Sequence, residues 1–170
     1  MVLSTGPASP ISSTSRAALR SSADSVPAAQ CSRRPDVLFF AADAITPGEA
    51  ETMRSLGLKK IALTEVEVDP AGAARQAVAW GARFERLLIH LDVDVLDYTA
   101  FPIAENVRGR GLDFHQLSEA LIPLMAAPNW CALTLAEINP DHAPDEADTF
   151  HGLITMLSDA LSAPTLPRFI

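Results

Sequence analysis

The sequence is poor in basic residues, in cysteine and in long apolar runs. It has 13 Lys and Arg against 21 Asp and Glu, a formal net charge of −8, which argues against nucleic acid as a partner. No apolar stretch approaches the ~20 residues that a membrane-spanning helix needs, so no membrane partner is expected. The two cysteines, Cys31 and Cys131, form neither a disulfide framework nor a zinc spacing, which favours a reducing, cytoplasmic location. Cys131 lies in an apolar run and is predicted to be buried.

Residues 1–35 differ in composition from the rest of the chain. They contain nine serines, four arginines and a single acid, Asp24. Such a segment has too little apolar surface to offset the entropy lost on ordering, so a disordered leader is predicted. An organelle transit peptide is a minor alternative. A folded domain is expected over residues 36–163, followed by a tail over 164–170.

Short apolar runs alternate with amphipathic stretches from residue 36 onward. The runs VLFFAA, KIALTEV, RLLIHLDV and CALTLAEI predict strands over 37–42, 60–66, 86–93 and 131–138. Helices are predicted between and after them, beginning at capping residues Thr46, Asp69 and Asp113 and ending near 57, 82 and 125, with a last helix over 145–161. This order predicts an α/β fold, a three-layer parallel sheet with helices on both faces.

Acidic residues follow the buried runs where ligands bind in open parallel sheets, beyond the carboxyl ends of the strands. Asp92 and Asp94 end the third predicted strand, and Glu137 ends the fourth. Two carboxylates that are close in a low-dielectric crevice repel each other, and a divalent cation such as Mn²⁺ or Mg²⁺ would remove that repulsion. The alternative is that these acids cap the following loops. His90 is predicted to be a hydrogen-bonded core histidine, and Glu49 to be the capping partner of Thr46.

Three motifs in order resemble the carboxyl-terminal half of the arginase–agmatinase–formiminoglutamase (ureohydrolase) family. They are HLDVDVLDYTAFP, RGLDFHQLSEAL and LTLAEINPDHAP, and the upstream stretch ITPGEAETMRSLGLKKIALTEVEVD resembles the family's preceding strand–helix–strand segment. The resemblance covers residues 36–162 and implies a partial arginase-like fold. It also implies a hydrolase of linear amidines or guanidinium compounds, with two Mn²⁺ ions in a complete site.

The resemblance assigns roles only at matched positions. Asp92 and Asp94 would be metal ligands, and Glu137 would hydrogen-bond the guanidinium group of the substrate. Asp97 would support the metal loop, with His90 as a further structural neighbour. Asn106 and Glu49 are weaker candidates for substrate binding.

The departures from the family pattern concern the other metal ligands. The histidine and the D-x-H-x-D cluster of the family's amino-terminal half have no counterpart here, so this chain alone is predicted to bind Mn²⁺ weakly or partially. Tyr98 stands where the family has proline, and Thr46 stands where it has an acid. Both changes leave the substrate open.

Three functional hypotheses follow. The first is a metal-dependent amidinohydrolase that needs a missing half, supplied by a longer product, a partner chain or a homo-oligomer. The second is a non-catalytic fragment or interaction module that keeps the fold. A distant third is a haloacid-dehalogenase-like phosphotransferase, which also places D-x-D after a strand, but the chain has no lysine after Lys60 to balance a phosphate.

Overall fold

The computed structural model describes residues 1–4, 36–106, 109–142 and 146–162. The strands are β1 (Val2–Ser4), β2 (Val37–Ala42), β3 (Lys59–Ala62), β4 (Leu87–Asp92) and β5 (Trp130–Ala136). The helices are α1 (Pro47–Ser55), α2 (Leu63–Val68), α3 (Pro70–Gly81), α4 (Phe114–Met125) and α5 (Glu146–Ser162). From β2 onward each strand is followed by at least one helix, with both α2 and α3 after β3, so the predicted α/β class is confirmed. No helix in these ranges is both long and apolar enough to span a membrane.

The five strands form one sheet in the order β3-β2-β1-β4-β5. The pairs β2–β3 and β4–β5 are parallel, whereas β1 lies antiparallel between β2 and β4. The two parallel halves of the sheet are therefore joined through three amino-terminal residues. Leu3 pairs with Leu38 on one side and with Ile89 on the other, and its side chain is fully buried.

This strand corrects the prediction that the whole leader is disordered. Val2 and Leu3 belong to the short apolar start of the chain, and the facing edges of β2 and β4 offer backbone donors and acceptors on both sides. The free energy gained by burying Leu3 and by pairing both strand edges offsets the conformational entropy lost when these residues become ordered. Residues 5–35, and the predicted tail over 164–170, lie outside the described residues.

The capping signals place the helices correctly. Thr46 and Glu49 form the predicted capping box at the start of α1, and Asp113 and Gln116 form the one at the start of α4. Asp69 caps α3 by accepting a hydrogen bond from the backbone N–H of Gly72 at 2.7 Å. These bonds satisfy amide groups that have no partner inside the helix, which is why local sequence is enough to locate them.

Three of the four predicted strands were too long at their carboxyl ends, and only the strand over 37–42 had its observed bounds. The LTEV part of KIALTEV is the start of α2, where Glu65 accepts a hydrogen bond from the backbone N–H of Ala62 at 3.1 Å. The residues after Asp92 form a 3₁₀ turn over Val93–Val95 instead of continuing β4. Short apolar runs fit a buried helix as well as a buried strand, so periodicity alone could not separate them.

The two faces of the sheet are covered unequally. Helices α2, α3, α4 and α5 pack against one another and share a core with the buried β4 residues Leu87, Ile89 and Leu91. The alternate β4 residues Leu88 and His90 are exposed. Helix α1 has no buried residue and borders the opposite face of the sheet. His90 is therefore exposed, and the prediction that it is a core histidine is wrong. The prediction that Cys131 is buried is also wrong, because its side chain is exposed on β5.

Candidate functional site

A cleft of about 720 Å³ lies beside the carboxyl ends of β2 and β4. Its walls come from α1, from the turn after β2, from β4 and from Met1. Four carboxylates line it: Asp43, Glu49, Asp92 and Asp94. Within the described residues, the lining contains no lysine or arginine side chain. The cleft is therefore an environment that favours a cation over an anion.

Asp92 and Asp94 both line this cleft but differ in their surroundings. Asp92 ends β4 and its Oδ1 accepts a hydrogen bond from the backbone N–H of Asp94 at 2.9 Å. Asp94 lies in the 3₁₀ turn and the residue is 5% exposed. Both of its oxygens accept from Asn106, Oδ1 from the backbone N–H at 3.1 Å and Oδ2 from Nδ2 at 2.5 Å.

Asp97 shapes the loop that carries Asn106. Its Oδ1 accepts hydrogen bonds from the Oγ1–H of Thr99 at 2.5 Å and from the backbone N–H of Thr99 at 2.8 Å. The side-chain bond and then the backbone bond lower the pKa of Asp97, because both stabilise the ionised carboxylate. The backbone N–H of Asp97 donates to the carbonyl of Leu112 at 2.9 Å, which closes the base of the loop.

Glu137 follows the end of β5 and lies outside the lining of the cleft. Its backbone is in the left-handed region, with φ at 64°, a conformation that L-residues adopt at a cost. Its carbonyl accepts a hydrogen bond from the N–H of Glu105 at 2.9 Å. Asn139 adds a second tie, because its Nδ2 donates to the Glu105 carboxylate at 2.7 Å. The strand end is thus fastened to the loop next to Asn106.

The remaining predicted residues lie on the cleft wall. His90 is exposed and its Nδ1 lies 2.8 Å from the hydroxyl of Thr134 on β5. Glu49 accepts from the backbone N–H of Thr46 at 2.8 Å and from its hydroxyl at 2.7 Å. These bonds lower the pKa of Glu49, the backbone bond most. The structure therefore brings His90, Glu49, Asp92 and Asp94 to one cleft. The other predicted residues, Glu137, Asp97 and Asn106, are not in its lining.

Two features of the site were missed by sequence reasoning. Asp43 follows the buried strand β2, so the rule that places ligand sites at strand ends would have found it. The Arg110 guanidinium pairs with Glu67, Nε to Oε1 at 3.1 Å and Nη2 to Oε2 at 2.7 Å, which raises the pKa of Arg110. This contact joins the loop to α2 across 43 residues of sequence, and no local signal predicts it.

The described residues do not by themselves fit a pair of metal ions. They contain no group of three or more His, Cys, Asp or Glu side chains placed to hold an ion. Asp92 and Asp94 are two carboxylates, and Asp94 already has a hydrogen-bond partner on each oxygen. Two ions at catalytic geometry need more ligands than these.

The fold is similar to solved structures of ureohydrolases. Bacillus subtilis arginase matches with a TM-score of 0.69 at 17% identity, over 78% of this chain and 47% of that protein. Bacillus subtilis formimidoylglutamase matches with a TM-score of 0.66 at 16% identity, over 78% and 42%. Trypanosoma cruzi formiminoglutamase, whose structure was determined with Mn²⁺, matches with a TM-score of 0.64 at 17% identity, over 76% and 44%. This chain therefore spans less than half the length of these relatives.

Comparison of the sequence with family models points to the same group of proteins. No curated protein sequence matches the chain. The model of the arginase family matches residues 8–162, which includes most of the segment that was predicted to be a disordered leader before the folded domain. The match covers far more than half of the chain and removes the phosphotransferase alternative. The chain belongs to the arginase family.

Proposed function

We propose that this chain forms the carboxyl-terminal part of a ureohydrolase site, and that its cleft binds the guanidinium or amidine group of a small substrate. The observation that carries the proposal is the charge of the cleft, with four carboxylates and no lysine or arginine in its described lining. A planar cation gains both Coulomb energy and charge-assisted hydrogen bonds in such a cleft. The family assignment supports the same substrate class.

The proposal assigns roles to three acids, Asp92, Asp94 and Glu137. Asp92 and Asp94 are the two carboxylates that this chain would contribute to a dinuclear Mn²⁺ site. Bound metal of this kind would supply a hydroxide at neutral pH. The other ligands must come from outside the described residues, because too few are present here. Glu137, which lies outside the cleft lining, would have to approach the cleft to pair with the guanidinium group; its backbone carbonyl is bonded to the N–H of Glu105.

A second candidate function is a non-catalytic module that keeps the fold. The hydrogen bonds of Asp94 favour it, since a carboxylate satisfied by Asn106 is stable without a metal ion. The two candidates make different demands on the cleft. A hydrolase needs the cleft to bind a cation, whereas a module that acts through another surface does not.

Ligand titration of the full chain by NMR tests the proposal. Guanidine, agmatine and arginine should shift the amide signals of residues that line the cleft, and neutral urea should not. Without added metal, Asp92→Asn should weaken guanidinium binding about tenfold, because it removes one of the four carboxylate charges of the cleft. Asp141→Asn is the matched control, because Asp141 is exposed and lies outside the cleft lining.

The outcomes separate the two candidates. Guanidinium binding that is lost in Asp92→Asn and kept in Asp141→Asn supports the ureohydrolase site. Equal shifts with urea and guanidine, or equal binding by wild type and Asp92→Asn, would contradict the proposed substrate class. Release of urea or a related amide is then measured after a separately expressed amino-terminal half of a relative is added with Mn²⁺.

A further inference from the structure

The two edges of the sheet differ in length and in charge. Strand β3 ends the sheet on one side with four residues, of which Lys59 and Lys60 are exposed. Strand β5 ends it on the other side with seven residues, WCALTLA, none of which is charged or a proline. Short length and lysine side chains are two common means by which proteins keep an edge strand from pairing with another chain. Strand β3 has both of these protections, and β5 has neither.

Strand β5 pairs with a neighbouring strand on one side only, within the described part of the chain. Its partner there is β4, which runs parallel to it. The backbone N–H and C=O groups that do not point toward β4 face away from the sheet. A row of such groups is a template for one more strand.

The helix layer ends before it fully covers β5. Contacts run from α2 to α3, from α3 to α4 and from α4 to α5, and α2 also contacts β2 and β3, so α5 lies at the β5 end of the layer. Leu135 pairs in register with Leu91 and therefore shares its face of the sheet. Leu91 is fully buried, whereas Leu135 is 41% exposed. The covered face therefore has an open apolar margin along its last strand.

Helix α5 adds apolar surface beside this margin. Phe150 and Leu157 of α5 and Leu133 of β5 are half-buried against the same core. Ile154 lies four residues after Phe150 and three before Leu157, so it projects from the same side of the helix, yet it is 62% exposed. The free edge of β5, Leu135 and Ile154 together make up the β5 border of the molecule.

We propose that the β5 border is the interface of an isologous dimer, in which β5 pairs antiparallel with β5 of a second copy of this chain. A two-fold axis perpendicular to the sheet relates the two copies. The two strands therefore run antiparallel, and both helix layers lie on the same face of the joined sheet. The two α5 helices then face each other across the joint, where they cover Leu135 and Ile154 of both copies.

Charge favours a second copy as the occupant of this border. The chain has a formal net charge of −8, so repulsion between two copies is least where the facing surfaces carry no charge. Strand β5 is uncharged, and its counterpart in a second copy has the same length. The β3 edge of another copy would instead place Lys59 and Lys60 against the apolar border. This difference disfavours a head-to-tail chain of copies and favours a closed pair.

The inference is independent of the proposed substrate. No residue of β5 or α5 belongs to the described lining of the acidic cleft. The cleft therefore keeps its four carboxylates whether or not two copies are paired.

Sedimentation velocity of the full chain tests the dimer over about 1–100 μM. Wild type should change from monomer to dimer in this range, and added salt should lower the dissociation constant because it screens the repulsion between two acidic copies. Ile154→Lys and Leu135→Lys should each raise the dissociation constant at least about tenfold, because each brings a lysine charge into the joint. Val68→Lys is the matched control, since Val68 is exposed on α2 at the other end of the helix layer, and it should dimerise as wild type does.

Hydrogen exchange locates the interface in wild type without a substitution. Amides in residues 130–136 should exchange more slowly in concentrated than in dilute protein, whereas amides in residues 59–62 of the lysine-bearing edge should exchange equally. Ile154→Lys keeps the mutational test available if Leu135→Lys fails to fold, because the side chain of Ile154 is mostly exposed in the monomer.

A chain that stays monomeric up to about 100 μM would overturn the inference. A dimer whose β5 amides exchange equally at both concentrations would also overturn it, as would equal dimer affinity in Ile154→Lys and wild type. Protection of β5 that appears only when the amino-terminal half of a relative is added would assign the edge to that partner and reject the second copy. Both lysine variants should bind guanidine as wild type does, so a failure of the proposed substrate class remains distinguishable from a failure of the dimer.

Discussion

The contribution of strand β1 can be tested by replacing Leu3 with alanine. Leu3 is fully buried and lies between Leu38 and Ile89 at the centre of the sheet. Burying a leucine side chain stabilises a fold by about 1.5–3 kcal/mol, and the cavity left by truncation raises the cost of Leu→Ala to about 2–5 kcal/mol. Leu3→Ala should therefore lose a substantial part of the free energy of unfolding, which is about 5–15 kcal/mol for a typical domain.

Urea denaturation followed by circular dichroism measures this loss. Leu161→Ala is the matched control, because Leu161 is 56% exposed on α5 and its truncation should change stability by less than about 0.5 kcal/mol. If β1 stays paired in Leu3→Ala, the urea midpoint falls and the m-value is unchanged. If β1 detaches, the m-value also falls, because less surface is buried in the native state. A midpoint shift as small as that of Leu161→Ala would refute the argument that β1 holds the two halves of the sheet together.

The loop between β4 and α4 carries two further predictions. Gly111→Ala should lower the free energy of unfolding by about 1–3 kcal/mol in a thermal melt, because a Cβ there would overlap the backbone of Leu96. Gly109→Ala is the control and should be neutral, because there is open space around Gly109. Equal effects of the two substitutions would contradict this packing. Asp97 has a lowered pKa, so the stability it contributes is present above its unfolded pKa of about 3.9 and is lost as pH falls through the lower folded pKa. Thr99→Ala should raise the pKa of Asp97 in an NMR titration and reduce that acid-dependent loss; an unchanged titration would show that the Thr99 hydroxyl is not the cause.

Much of the fold could be predicted because its signals are local. The capping boxes at Thr46 and Asp113 each involve residues three apart, so α1 and α4 begin where the sequence predicts. The apolar runs gave β2 with its observed bounds and β4 to within one residue at each end. The D-x-D spacing and its place after β4 were enough to choose Asp92 and Asp94 as candidates. Their proposed role as metal ligands remains a prediction.

The errors of sequence reasoning concern partners that are distant along the chain. The exposure of His90 and Cys131 depends on which face of the sheet the helices cover. Asn106 was considered only as a weak substrate contact, and its bonds to Asp94 span twelve residues of loop. A composition argument could not show that Val2–Ser4 would fit between β2 and β4.

The sequence by itself therefore determined the α/β class, the helix starts, the family resemblance and the acidic strand ends. Each of these depends on residues within a few positions of one another or on a motif read in order. Only the tertiary structure decided that β1 completes the sheet, that four carboxylates share one cleft and that Asn106 satisfies Asp94. These features depend on which backbone edges and which buried charges are left to be satisfied once the distant parts of the chain have packed, and that requirement has no signature in local sequence.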